Sequence, residues 1–362
     1  MTKRVLVTGA GGLAGVNFAR ALRISSMRYY LIGTDFSRYH ILYPDVDARY
    51  LTPRHSDRLF VSRLSEIVKK ERVDFVHPQP SSEAYVISAK RKSIPCRTLL
   101  PPTSVMRVGQ DKLLSQEKLE AAGIPVARTA EVLGRQDVKR AFSKMRSPLW
   151  VRARHGAGGR LSLLCKNAAE AQLWIGLWVA RGNRYDEFVV QEYLPGRNIA
   201  WDSVWYEGNL VTSYSRERLE YPFKHVSPSG ITGTPSVSRT VHDRAVNKVG
   251  ELAVRVIDPC PSGAYSVDIK ESVDGRPCVT EVDPGKFHST MPLWGYIAVK
   301  HLRLPEYANL ADVYVRLGLG QELRDAPPKT DLIPDGYYLL RDMDVGAYLW
   351  REEDGMKKEK IL

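Results

Sequence analysis

Residues 267–285 read "VDIKESVDGRPCVTEVDPG", two strand-forming runs around Asp274-Gly275. That dipeptide is a strong signal for a two-residue hairpin turn. With Asp274 and Gly275 as the loop, Val273 pairs with Arg276, and the ladder carries Asp268 opposite Glu281. Side chains alternate along a strand, so Asp283 shares the face of Glu281, about 6–7 Å further on. Three carboxylates then converge on one face, while Val267, Ile269, Val279 and Val282 point the other way, into a core. Like charges across a ladder repel. A divalent cation relieves the repulsion, and all-oxygen donors suit Mg²⁺, with Mn²⁺ as a substitute. The competing reading is a solvated acidic face.

A second hairpin precedes it, "PLWVRARHGAGGRLSLL" at 148–164. Arg152 sits on its first strand, and Gly156, Ala157, Gly158 and Gly159 form the tip. Such a tip can fold over phosphates and offer backbone N–H groups, with Arg152 as a fixed positive charge. Alone, it also reads as an ordinary glycine hairpin. "QDKLLSQEKLEAAGIPV" at 110–126 predicts a helix stopped by Gly123 and Pro125. "FVVQEYLPG" at 188–196 predicts a strand running into a Pro-Gly turn. Short strands recur here between helices at 167–180 and 244–257, an antiparallel α+β texture.

The first hundred residues differ. Strands at "KRVLVTG", "YYLIGTD" and "VDFVHPQP" alternate with helical patterns, which argues for an open, mainly parallel α/β sheet. The opening "VLVTGAGGLAGVNFARAL", Val5–Leu22, holds Gly9, Gly12 and Gly15 at GxxGxxG spacing, and Asp35 follows about 20 residues on. Those features fit a dinucleotide loop with an acid for the ribose. They also fit a strand that turns tightly into a helix and binds nothing. Tyr296 and Lys300 have the YxxxK spacing of a reductase, but late in the chain and inside a helical pattern.

The chain has 362 residues, 43% hydrophobic and 26% charged, with a formal charge of +12. That suits two or three globular domains. No apolar run reaches membrane-spanning length, and glycines interrupt the N-terminal apolar stretch, so the expectation is a cytoplasmic protein without membrane attachment. Lys and Arg are spread along the chain, which predicts a solvated basic surface and anionic ligands in a cleft, not nucleic acid. Cys96, Cys165, Cys260 and Cys278 are far apart and predict reduced thiols.

Taken in order, "QDKLLSQEKLEAAGIPV", "PLWVRARHGAGG", "VVQEYLPG" and "VDIKESVDGRPCVTEVDPG" resemble the ATP-grasp superfamily, most closely proteins related to the large subunit of carbamoyl-phosphate synthase. The order matches from about residue 1 to 320. The resemblance implies a Rossmann-like pre-ATP-grasp domain over 1–108 and ATP-grasp subdomains over 109–185 and 186–330. Closing strands or a tail follow at 331–362. It further implies that Lys112 and Arg152 contact ATP phosphates under the 156–159 loop, with Gln191, Glu192, Tyr193 and Leu194 as the adenine hinge. Asp268, Glu281 and Asp283 would hold one or two Mg²⁺ ions.

There are departures from the family pattern. Arg152 stands where many members have lysine, and Asp283 where many have asparagine. Asn198 replaces a ribose-binding glutamate. Gly285 replaces an arginine that steadies the acyl phosphate, and Lys286 beside it is the candidate substitute.

Arg216 and Arg218 share a strand face, with Lys224 and His225 on the loop beyond and His288 after the acidic strand. Arg216, Arg218, Lys224 and His288 are the candidates for holding a substrate. The expected function is an ADP-forming ligase that activates a small carboxylate as an acyl phosphate and couples it to an amine. Arg152 and Lys286 are the expected catalytic residues, and a homodimer the expected assembly. The alternatives are an NAD(P)-dependent oxidoreductase using the N-terminal loop and a non-catalytic ATP-binding protein.

Overall fold

The computed structural model describes residues 2–156, 158–159, 161–343, 346–355 and 357–362. The chain begins with β1 (Arg4–Thr8), α1 (Leu13–Arg23), β2 (Tyr30–Asp35), β3 (Ala48–Leu51), α2 (Phe60–Lys70), β4 (Phe75–Pro78) and α3 (Ser81–Ala89). The four strands form a parallel sheet in the order β3-β2-β1-β4. Strand β3, "ARYL", was not read from the sequence. It is a short edge strand with no fully buried residue, so it lacks an apolar run to announce it.

Helices α4 (Thr103–Gln110) and α5 (Lys112–Ala121) lead into β5 (Thr129–Glu131), α6 (Arg135–Lys144), β6 (Leu149–Ala153), β7 (Leu163–Cys165), α7 (Ala168–Ala180) and β8 (Phe188–Glu192). Their strands make an antiparallel sheet ordered β5-β8-β6-β7. The rest comprises β9 (Asn198–Tyr206), β10 (Asn209–Glu220), β11 (Val237–Val241), α8 (Arg244–Ile257), β12 (Gly263–Glu271), β13 (Pro277–Pro284), α9 (Met291–Lys300) and α10 (Leu310–Gly318). β14 (Tyr338–Asp342), β15 (Gly346–Trp350) and β16 (Lys358–Lys360) complete it. These strands form an antiparallel sheet ordered β13-β12-β9-β10-β11-β14-β15-β16, so the C-terminal strands continue the central sheet.

One apolar core joins the first sheet to the last third of the chain. Phe18 and Leu22 of α1 pack with Phe287, Trp294 and Ile297 around α9, and with Leu339 of β14. Buried polar contacts fix the alignment. Asn17 Nδ2 donates to the Ser289 carbonyl at 2.9 Å, and Gln79 Nε2 to the Phe287 carbonyl at 2.8 Å. His77 stacks on Phe18 with ring centroids 3.9 Å apart. The loop after β13 is thereby held against the turns that follow β1 and β4. Among the described residues, no helix is long and apolar enough to cross a membrane.

Candidate active site

The glycine loop after β1 closes on itself. Asp35 is 4% exposed, and its two oxygens accept the backbone N–H groups of Gly11 at 3.1 Å and Ser37 at 2.8 Å. Its carboxylate therefore shapes the turn, and Asp35 is not among the residues lining the cavity beside this loop. Gly9 has φ +58, and a Cβ there would sit 2.3 Å from Pro80 Cγ. The ring of Pro80 thus lies against the loop. Gly9, Gly12, Leu13 and Ala14 instead line one end of a cavity of about 520 Å³.

The acidic hairpin forms the other end, and its register departs from expectation in two places. The turn has three residues, 273–275, with Gly275 at φ +78, and Ser272 donates to the Arg276 carbonyl at 3.0 Å. Val273 therefore does not pair with Arg276; Ile269 pairs with Val279 and Glu271 with Pro277. A bulge at Thr280 then restores Asp268 opposite Glu281. Without it, Glu281 would fall on the face of Val267, inside the core. The bulge also explains why Val279 and Val282, three residues apart, are both buried.

Around the cavity each carboxylate of the hairpin meets cations. Glu281 Oε2 accepts from Arg152 Nη2 at 2.9 Å, and Glu281 Oε1 lies 3.2 Å from Lys112 Nζ. Asp283 Oδ2 lies 3.0 Å from Lys286 Nζ. Asp268 is bonded to Arg218 and lies 3.2 Å from His288 Nε2. Burial would raise all three carboxyls. Arg218 and His288 nevertheless hold Asp268 well below the usual range, and Lys112 and Arg152 lower Glu281. At Asp283 burial wins over Lys286, aided by the Glu281 charge, and its proton affinity rises. Burial lowers Lys112, whereas Asp283 and Glu281 raise Lys286 against it. Burial opposes the charge on His288, but Asp202 and Asp268 keep its affinity raised.

The glycine tip stands over this group. Asp111 caps α5 through the N–H groups of Leu113 and Leu114, and Arg154 grips its carboxylate, which aims Lys112 inward. Lys112 Nζ also donates to the Gly156 carbonyl at 2.6 Å. Gly156, Gly158 and Gly159 have φ of 98, 74 and 72, a left-handed backbone that favours glycine. Gly158 and Gly159 line the cavity; Ala157 lies outside the described residues. Gln191, Glu192, Tyr193, Leu194 and Asn198 line the same cavity beside Arg152. Gln191 Oε1 accepts from Arg152 at 3.3 Å, and Asn198 Oδ1 from Arg218 at 3.3 Å.

Two substrate candidates fall elsewhere. Arg216 shares the strand face of Arg218, but it is 1% exposed and bonded to the buried carboxylate of Asp202. That carboxylate was not read from the sequence, because Asp202 is neighbour to Arg216 only once β9 and β10 pair. Arg216 is a structural cation. Lys224, with His225, lies on an exposed helical turn outside the cavity lining. Arg218 and His288 do line it. His288 Nδ1 makes an ion-pair contact with Asp202 Oδ1 at 2.9 Å.

Trp150 and Lys270 also line the cavity and were missed. Period-two alternation was the available signal, since each is two residues from a named site residue, Arg152 or Asp268. Lys270 Nζ lies 5.8 Å from the Trp150 ring centre and 5.9 Å from that of Tyr193. Burial, then Arg152 and Arg218, lower its proton affinity. Among the described residues no cluster of three or more His, Cys, Asp or Glu is placed to hold a metal ion unaided.

The architecture is the ATP-grasp fold. The biotin carboxylase domain of the Hydrogenobacter thermophilus 2-oxoglutarate carboxylase, solved with MgADP, ADP and bicarbonate, aligns with a TM-score of 0.68. The match is 15% identical and covers 94% of this chain and 74% of that one. L-amino acid ligase from Bacillus licheniformis aligns with a TM-score of 0.65 at 14% identity, over 93% of this chain and 79% of that one. In sequence, the chain is similar to the carbamoyl phosphate synthase large chain of Bifidobacterium longum, 22% identical over 348 residues. That match covers 89% of this chain but 29% of the relative, so the chain spans less than a third of that protein's length. No family model matches.

Proposed function

We propose that the chain is an ATP- and Mg²⁺-dependent ligase joining a small carboxylate to an amine. The observation that carries this reading is a single cavity lined by the Arg152–Glu281 and Asp283–Lys286 pairs and by Gly158 and Gly159 of the glycine tip, with Lys112 outside the lining and paired to Glu281. A substrate carboxylate oxygen attacks the γ-phosphorus of ATP, and ADP leaves. The amine nitrogen then attacks the acyl carbon, phosphate leaves, and the nitrogen gives up a proton.

The donor chemistry fits Mg²⁺ that arrives with a nucleotide, because that ion takes one or two carboxylates and fills its shell with phosphates and water. Asp268, Glu281 and Asp283 would hold it. When bound, Mg²⁺ would neutralise phosphate charge. The protein positions and screens. Lys112 and Arg152 balance phosphate charge, the backbone of the glycine tip offers N–H donors, and Gln191–Leu194 with Asn198 hold base and ribose. Lys286 supplies the cation that Gly285 lacks. Gly285 has φ +84, and a Cβ there would lie 3.1–3.2 Å from Met106, Leu100 and Pro101, so a side chain at this position would be strained and would press its neighbours aside. Arg218 and His288 face the carboxylate substrate. We further infer a cytoplasmic homodimer acting on small molecules.

The test is ADP and phosphate release across panels of carboxylates and amines, wild type against Asp283→Ala. Turnover that needs a carboxylate–amine pair and fails in the variant supports the reading. Metal-independent turnover unaffected by the substitution sinks it, and ATP binding without turnover on any pair points to the non-catalytic alternative.

A further inference from the structure

The segment between β2 and α2 carries large apolar side chains on the surface. Phe36, Tyr39, Leu42, Tyr43 and Leu51 are 47–66% exposed. Tyr39, Leu42 and Tyr43 fall at i, i+3 and i+4 about the helical turn at His40–Leu42, so they share one side of it. The other side is anchored, because Ile41 and Val46 are buried in the core with Phe18 and Leu22. Strand β3 continues the face. Leu51 pairs with Asp35, the residue before Phe36. Arg49, two residues back on the same side of β3, donates to the Pro44 carbonyl, next to Tyr43, at 2.9 Å. Arg54 lies over the Phe36 ring at 3.9 Å, and Arg38 over the Tyr39 ring at 4.7 Å. Aromatic rings and arginines on a packed platform are the residue types enriched where proteins associate.

Size and charge decide what covers this face. A stable interface takes about 800 Å² from each partner, roughly 60% of it apolar, so it needs on the order of 500 Å² of apolar surface. A large aromatic buries about 150–250 Å², so these side chains, half exposed or more, together offer about that area. Over residues 36–59, Arg38, Arg49, Arg54 and Arg58 stand against Asp45, Asp47 and Asp57, a near balance in a chain of formal charge +12. An acidic partner would favour a basic excess, whereas a balanced face meets its own copy without strong repulsion. Among the described residues β3 is the last strand of its sheet, so no further strand covers this side. The rival exposed face, on α7, presents Leu173 and Leu177 alone as large exposed apolar side chains.

We propose that the face built by Phe36, Tyr39, Leu42, Tyr43 and Leu51 is an isologous interface with a second copy of this chain. Under a two-fold axis each patch meets the same patch, so one self-complementary surface is enough. The interface adjoins the cavity. Gly11 packs beneath the turn, where a Cβ would lie 2.3 Å from the His40 carbonyl, and Leu13, two residues on, lines the cavity. The proposal rests on the homodimer inferred above, to which it assigns a face, and not on the ligase chemistry.

Sedimentation velocity of the full chain across a wide concentration range tests the interface. Wild type sediments as a dimer of the 40.8 kDa chain. Tyr39→Glu/Leu42→Glu self-associates at least roughly thirtyfold more weakly. Leu173→Glu/Leu177→Glu, the same charges placed on α7, keeps the dimer. Unchanged far-ultraviolet circular dichroism shows that the variants fold. In wild type, amide exchange over residues 36–51 slows as concentration rises. A monomeric wild type overturns the homodimer together with its face. A dimer unaffected by the first variant, or broken by the second alone, overturns the face and leaves the homodimer standing. Should the first variant fail to fold, or both variants dissociate, exchange in wild type decides, and unchanged exchange over 36–51 on dimerisation overturns the face. None of these readouts uses turnover, so failure of the ligase reading leaves the test intact.

Discussion

Lys112 Nζ lies 3.2 Å from Glu281 Oε1, with side-chain exposures of 2% and 9%. The contact ties the start of α5 to β13, and the Gly156 carbonyl on the same ammonium ties in the glycine tip. Glu281 has two cations, Lys112 and Arg152, whereas Lys112 has Arg152 as a like-charged neighbour, so the pair stabilises the carboxylate more than the amine. Breaking a buried pair strands the remaining charge. Lys112→Met is expected to cost about 3 kcal/mol in urea unfolding. Adding Glu281→Gln recovers part of that loss, and strict additivity of the two substitutions would contradict the coupling.

Glu83, in the first turn of α3, is 5% exposed. Burial pushes its carboxyl up to about 7 from 4.5, with Thr8 opposing and Asp35 assisting. The folded chain therefore holds this proton more tightly than the unfolded chain. The resulting stability is fully present below about 4.5 and is lost as pH rises through about 7. Glu83→Gln should be more stable than wild type at pH 8, by up to roughly 3 kcal/mol, and the gain should shrink toward pH 5. Unfolding curves at the two pH values check the sign.

Gly9 and Gly12 make opposite predictions within one motif. A Cβ on Gly9 strikes Pro80, and its φ is +58; at Gly12 the nearest atom is Gly9 O at 3.4 Å, and φ is −73. Gly9→Ala is expected to lose about 2–3 kcal/mol, and Gly12→Ala to stay within about 0.5 kcal/mol, in thermal unfolding. Because Asp35 is occupied by backbone donors, NADH and NADPH should produce no fluorescence change on titration.

Trp150 and Lys270 line the cavity together with Gln191, Glu192, Tyr193 and Leu194, the proposed adenine hinge. Trp150→Ala and Lys270→Met should each weaken MgADP binding roughly tenfold in calorimetry, through lost stacking and a lost cation over the rings. Unchanged affinity in both would remove the base from that end of the cavity.

Much of this site was legible as local pattern. Asp268, Glu281 and Asp283 were placed on one face by strand alternation and a hairpin turn. Arg152 with the glycine tip follows from a strand–loop signature, whereas Lys112 came only from the family resemblance. The register nevertheless came out through two departures that cancel, a longer turn and a bulge at Thr280. A bulge has no sequence signal of its own, because it answers to packing on both faces of the sheet.

What the chain alone determined is therefore periodic and local: which residues alternate, where strands turn, which glycines allow tight bends. The tertiary structure decided which charges meet. Arg216 met Asp202, Asp35 met the amides of Gly11 and Ser37, and Asp268 met Arg218 and His288. Partner choice among charges depends on distances between segments far apart in the chain, and those distances exist only after the sheets and α1 and α9 have packed.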